Sequence, residues 1–152
     1  VRLDPKSPDM AAMVAYMNRL SRDVPDGTKV AGLGIPHIKP PAAPDATRGK
    51  TLYAAKCAAC HQLEGQGIFG ADDATVFPPL WGDRSFNIGA GMARLSTAAA
   101  FVKWNMPQGQ EGSLSDQEAY DISAYFTVQE RRDFAPKAKD WASGGKPADA
   151  RY

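Results

Sequence analysis

Cys57-Ala58-Ala59-Cys60-His61 is the stretch on which the fold turns. It has the Cys-x-x-Cys-His spacing of covalent haem c attachment. The chemistry accounts for the spacing. Two thiols three positions apart on a helical turn point the same way, and each can add to one haem vinyl group. The histidine that follows then lies beneath the iron as the proximal ligand. The competing readings are a zinc half-site and a disulfide redox pair. Zinc needs further Cys or His ligands. The chain has only 2 cysteines and 2 histidines, and the second histidine, His37, stands in a proline-rich stretch. A thioredoxin-like pair follows a strand, whereas a helix is expected here.

Working outward, a helix is expected over residues 45–59, with Asp45 or Thr47 as its cap and Leu52, Ala55 and Ala59 on one face. Residues 62–91 are rich in glycine and proline and read as loops. A further helix is expected near 96–105, capped by Ser96, carrying Ala98, Phe101 and Val102, and stopped by Pro107. The last runs over about 115–130. It opens on the capping box Ser115-Asp116-Gln117-Glu118 and has Ala119, Ile122, Tyr125 and Phe126 as its apolar face. Upstream, residues 6–22 read as an amphipathic helix started by Ser7-Pro8-Asp9. Its stripe is Met10, Met13, Val14, Met17 and Leu20, and core packing is the plain expectation for the methionines. Residues 23–47, with Pro25, Gly27, Gly32, Gly34, Pro36, Pro40, Pro41 and Pro44, read as a linker or wrapping segment, not a core element. The charged tail after 131 is expected to run extended over the surface. No strand and no internal repeat is expected. The organisation is therefore 1–44, N-terminal helix and linker; 45–131, haem domain; 132–152, tail.

With 152 residues, 43% hydrophobic and 23% charged, the chain suits one globular domain with extensions. A net charge of +1 gives no electrostatic preference for nucleic acid or an anionic membrane. No apolar run approaches the roughly 18–20 residues that span a bilayer. Val1 to Pro8 are polar and proline-broken, unlike a signal peptide. Haem c is attached outside the bacterial cytoplasm, so a periplasmic location is expected, with a leader removed or lying outside this chain.

The second axial ligand is sought among Met10, Met13, Met17, Met92 and Met106. Met/His ligation is the electron-carrier arrangement and raises the potential. Met106, in Asn105-Met106-Pro107, stands 45 residues past His61, between a helix and a proline-held loop. That setting suits a distal ligand. Met92 in Gly89-Ala90-Gly91-Met92 is the alternative, followed by a lysine such as Lys103 or an open position. Pro78-Pro79-Leu80 offers a fixed carbonyl for the other ring nitrogen of the proximal histidine.

These residues together resemble a class I cytochrome c: Gly49-x-x-Leu52-Tyr53, Cys57-x-x-Cys60-His61, Pro78-x-Leu80-x-Gly82, Met106-Pro107, and Leu114-Ser115-x-x-Glu118 with Tyr125-Phe126. The resemblance implies an all-α fold wrapped around one haem c. Its first and last helices would cross near Gly49 and Tyr53 against the 122–126 face, and Pro78 would accept from the proximal histidine. Phe77-Pro78-Pro79-Leu80-Trp81-Gly82, Ser85-Phe86-Asn87-x-Gly89-Ala90-Gly91-Met92 and Phe101-x-x-Trp104-Asn105-Met106-Pro107 also resemble the C-terminal haem domain of dihaem thiosulfate dehydrogenases, over about residues 45–130. Those enzymes join two thiosulfates into tetrathionate and release two electrons. The resemblance implies haem contacts from Pro78, Leu80, Met92 and Asn105. With Asn105 where some members carry lysine, it implies plain His61/Met106 ligation.

The catalytic haem of that family sits in a separate N-terminal domain with a distal cysteine. Both cysteines here are used in one motif. The 8–20 helix is similar to the last helix of that other domain. Three functions follow as expectations. The first is a monohaem electron-transfer unit in sulfur-compound oxidation, with no catalytic residue of its own and another redox protein or haem domain as partner. The second is part of a thiosulfate dehydrogenase, with cations such as Arg84, Arg94 or Lys103 over the haem. The third is a haem-based sensor. A dimer or partner chain contact through the 8–20 helix is expected as well.

Overall fold

The computed structural model describes residues 3–30 and 34–152. Gly32 of the expected linker and Val1 of the N-terminal segment lie outside the described residues. The chain divides into two units, Val1–Gly34 and Ile35–Tyr152.

The first unit holds helix α1, Pro8–Leu20. The Ser7 hydroxyl accepts from the Met10 N–H at 3.2 Å, and Pro8 supplies a preset φ in the first turn. Within its own unit α1 buries no residue; Met13, Met17 and Leu20 are 54%, 64% and 66% exposed. Within this unit the methionine stripe has no core to pack into. A lone helix has no second element of its own unit to bury its face against.

In the second unit, the Asp45 carboxylate accepts from the backbone N–H groups of Thr47 and Arg48 at 2.8 and 3.1 Å. It thereby caps α2, Ala46–Lys56. Cys57 breaks the helix, and a single turn, α3, follows at Ala58–His61. Gln62, with φ of 64°, ends it. The expected continuous helix is thus two. Its buried face is also different: Gly49 and Tyr53 are buried, while Ala55 and Ala59 are exposed. Ala55 lies two positions, about 200°, around the helix from Tyr53 and faces away.

A small antiparallel hairpin comes next, β1 at Ile68–Phe69 and β2 at Thr75–Phe77. No strand was expected, because two- and three-residue strands carry no readable alternation. Helices α4, Leu95–Asn105, and α5, Asp116–Thr127, complete the unit. The capping box of α5 forms as expected, with Ser115 N–H donating to Glu118 at 2.8 Å and Glu118 N–H to Ser115 Oγ at 3.2 Å. Ser96 is not the cap of α4. It sits inside the first turn, and both its N–H and its hydroxyl donate to Asp149, at 2.8 and 2.6 Å. The tail therefore packs back on the fold. Gly82 N–H donates to Glu130 O at 2.8 Å and Ile88 N–H to Arg132 O at 3.0 Å, and a 3₁₀ turn forms at Ala135–Lys139.

The core gathers Tyr53, Ala98, Ala99, Val102, Leu114, Ala119, Ile122 and Phe126. Ile38, 8% exposed, joins it from the proline-rich segment. Trp104 Nε1 donates to Pro36 O at 3.0 Å and the Tyr120 hydroxyl to Ile38 O at 3.1 Å, so residues 35–44 wrap the helices and contribute one core side chain. α2 crosses α5 closely enough that a Cβ on Gly49 would collide with the Asp121 carbonyl. Beside this crossing Asp121, 1% exposed, accepts from Arg48 Nε at 2.6 Å, Arg48 Nη2 at 2.9 Å, the Asp45 N–H at 2.8 Å and Gln117 at 2.8 Å.

Two outcomes follow. Gly49→Val will force α2 off α5 and lower unfolding stability by roughly 1–3 kcal/mol or more, read by denaturant titration; an unchanged midpoint would refute the close crossing. Burial pushes the Asp121 carboxyl up, but the bonds from Arg48, Asp45 and Gln117 outweigh it and hold it below the ordinary aspartate value of 3.8. A depressed carboxyl stabilises the fold above its unfolded value and loses that contribution as pH falls through the folded one. Asp121→Asn will therefore be less stable than the unaltered protein at neutral pH, and the two curves will converge below about pH 4.

Candidate haem-attachment site

Strand β2 ends at Phe77 and delivers Pro78, whose carbonyl oxygen is 2.8 Å from His61 Nδ1. A carbonyl only accepts, so Nδ1 carries the proton and Nε2 keeps a lone pair for a metal. The loop is held on both sides of this contact. Leu80 N–H donates to Gly65 O at 2.7 Å, and the Ser85 hydroxyl to Pro79 O at 2.9 Å. Cys60 and His61 are fixed by the α3 turn, with their N–H groups donating to Cys57 O at 3.2 and 3.0 Å.

Cys57, Cys60 and His61 line one cleft of about 1000 Å³, counted with its open mouth. Pro78 and Leu80 line it from the loop, Met92 from the 3₁₀ turn Gly91–Ala93, and Met106 from the end of α4. Apolar walls come from Tyr53, Val76, Phe77, Phe86, Phe101, Val102, Ile122 and Phe126, with Lys56 and Gln108 as polar members. Tyr53 is fixed by donating its hydroxyl to Gln62 O at 2.8 Å and by a cluster with Trp81 and Tyr125, ring centroids 5.3 and 5.4 Å away.

The two cysteines form no disulfide with each other and are half-buried. Burial pushes Cys57 up to about 11, against the pull of Lys56. Among the described residues no group of three His, Cys, Asp or Glu could hold a metal ion. A large apolar ring carrying two vinyl groups suits the donor set: two thiols on one wall, an imidazole with a free Nε2, and thioethers available from Met92 and Met106.

The other candidates fall elsewhere. Asn105 does not line the cleft; its amide donates to Phe101 O at 3.1 Å along its own helix. Lys103 Nζ donates to Leu114 O and, at 3.3 Å, to Gly112 O. Arg84 pairs with Asp73 at 2.6 Å and stacks on Phe69. Arg94 borders a separate depression beside Trp141. None of these three cations lines the cleft. Sequence reasoning missed Lys56, Val76 and Gln108, which carry no motif signal. It quoted Tyr53 and Phe86 only as parts of a resemblance.

A helical domain that aims two thiols and an imidazole into one apolar cleft is a haem-attachment domain. The chain belongs to the cytochrome c family: the family model for cytochrome c matches residues 46–127. Its all-α fold is that of a class I cytochrome c, and family membership brings covalent haem c with it. Thiosulfate dehydrogenase of Psychrobacter arcticus is 50% identical over 149 residues, 98% of this chain and 46% of that protein. Thiosulfate dehydrogenase of Allochromatium vinosum is 49% identical over 124 residues, 82% of this chain and 46% of that protein. The solved thiosulfate dehydrogenase TsdBA of Marichromatium purpuratum aligns with 99% of this chain and 33% of its own, with a TM-score of 0.74 at 38% identity. The chain thus spans about half the length of the curated relatives it matches, or less.

Lys103 provides a test of this geometry. Lys103→Met will leave the haem spectrum unchanged and cost about 1–3 kcal/mol of stability, because the Leu114 and Gly112 carbonyls lose their donor. A changed haem spectrum with intact stability would make Lys103 an iron ligand instead.

Proposed function

We propose that this chain is a monohaem electron-transfer unit, attached through Cys57 and Cys60, with His61 and Met106 as axial ligands, serving thiosulfate oxidation. The observation that carries the reading is the convergence of Cys57, Cys60, His61 and Met106 on one apolar cleft. When bound, the haem supplies reversible one-electron iron chemistry. The protein does the rest. Pro78 holds the Nδ1 proton and so orients His61. Met106, fixed by its N–H bond to Val102 O at 3.0 Å and followed by Pro107, offers a soft thioether that favours the reduced state. Phe77, Phe101, Ile122 and Phe126 exclude water and keep reorganisation small.

The relatives named thiosulfate dehydrogenase support a role in moving electrons away from thiosulfate. Their greater length supports a second reading, in which this segment is the electron-exit part of such an enzyme and the catalytic haem lies in another domain. The absence of Arg84, Arg94 and Lys103 from the cleft weighs against turnover by this chain alone. The partner is another redox protein or haem domain, and the location is the periplasm. The organisation proposed is a helix and linker over 1–44, whose residues 35–44 wrap the haem domain, then the haem domain over 45–131 and a tail over 132–152. The 8–20 helix, its apolar stripe exposed within its own unit, offers the contact for a partner chain or second copy.

Met106→Ala will open the iron to carbon monoxide and lower the potential, measured by spectrum and redox titration. An unchanged spectrum would move the assignment to Met92. Catalytic-rate reduction of the purified chain by thiosulfate would overturn the carrier reading. A Met-to-iron charge-transfer band in the oxidised protein would exclude a sensor with a vacant position.

A further inference from the structure

Arg131 follows α5 and turns back behind the haem cleft. It is 7% exposed. Its Nη1 donates to Leu80 O at 3.1 Å and its Nη2 to Phe126 O at 2.9 Å. Its guanidinium carbon stands 4.4 Å from the centroid of the Phe86 ring. Leu80, Phe86 and Phe126 are all walls of the cleft. Each of the three residues that hold Arg131 thus also lines the cleft.

Among the described residues, Arg131 takes part in no ion pair, and its Nε is buried with no partner. The charged neighbour that acts on it is a second cation, Arg151, whose Nη1 is likewise buried and unpartnered. Asp121 shows the contrasting solution, a buried charge held against Arg48 at 2.6 Å. Removing a lone charge from water is costly, and a neutral side chain of similar volume would fill the same space more cheaply. Such a charge acts over distance with little screening.

We propose that Arg131, reinforced by Arg151, is a fixed positive charge behind Phe86 that sets the haem potential high and so poises this unit as an electron acceptor. Oxidised haem iron carries one more positive charge than reduced iron, so a nearby cation disfavours the oxidised form. The inference rests on the electron-transfer reading above. Arg131 acts through the field and through the wall it braces, as a positioning residue.

The test is a spectroelectrochemical titration of the haem-loaded protein with Arg131→Met, Arg131→Lys and Arg151→Met. At a fixed applied potential, the reduced-to-oxidised ratio will fall about threefold to tenfold in Arg131→Met, by Coulomb's law at an intermediate dielectric. It will fall less in Arg151→Met and return toward the unaltered value in Arg131→Lys, with the Met-to-iron band retained throughout. An unshifted Arg131→Met titration overturns the proposal. So does a Lys variant that shifts as far as the Met variant, since shape rather than charge would then be responsible. If Arg131→Met does not hold haem, Arg151→Met decides: a fall supports the proposal and an unshifted titration overturns it. Absence of the Met-to-iron band from the unaltered protein would overturn the His61/Met106 reading and leave the charge comparison standing.

Discussion

Gly49 has no side chain, and that lets α2 lie directly on the backbone of Asp121 and Ile122 in α5. The rest of the second unit is placed from this crossing. One turn further along α2, Tyr53 enters the core, and one turn beyond that the helix ends at Cys57. On the other helix, Ile122 and Phe126 occupy the facing positions and become the floor of the cleft. The crossing is locked from outside by Asp121, which binds the helix start at Asp45 and Arg48 together. Apolar contact sets the distance between the helices. The charged network sets their register.

The imidazole depends on a different part of the chain. His61 is fixed by a carbonyl at the end of a hairpin, and that loop is in turn fixed by Gly65 and Ser85. The two sides of the cleft are built by different means. Helix packing places the thiols. Loop hydrogen bonding orients the ring that follows them. A change in either affects the same iron site by separate routes.

Motifs with fixed local chemistry were legible from the sequence. Covalent haem c was legible in Cys57-x-x-Cys60-His61 because attachment demands that spacing, and the capping box in Ser115-x-x-Glu118 because it is satisfied within four residues. The Pro78 carbonyl was legible because two prolines in a row leave a loop few shapes. What failed was decided by packing and by hydrogen-bond partners that no motif names. Ala55 and Ala59 are apolar, but Gly49 and Tyr53 are the residues α2 buries. Ser96 has the composition of a cap, yet Asp149, 53 residues later, takes both its donors. Asn105 sits beside Met106 in sequence, but a helix turns neighbours about 100° apart, so it bonds its own helix instead. Arg131 had no signal at all, since nothing in a sequence shows that a charge will be buried without a counterion.

The last residues of the chain have a mechanical role. Asp149 closes the N-terminal turn of α4, the helix whose other end presents Met106, and Arg132 joins Ser85 on the loop that steadies Pro78. A strap from the far end of the chain is therefore tied to two walls of the cleft at once. The folding unit reaches well past residue 127, where the match to the family model ends. A domain with the same helices and no such strap would hold the cleft on a looser frame.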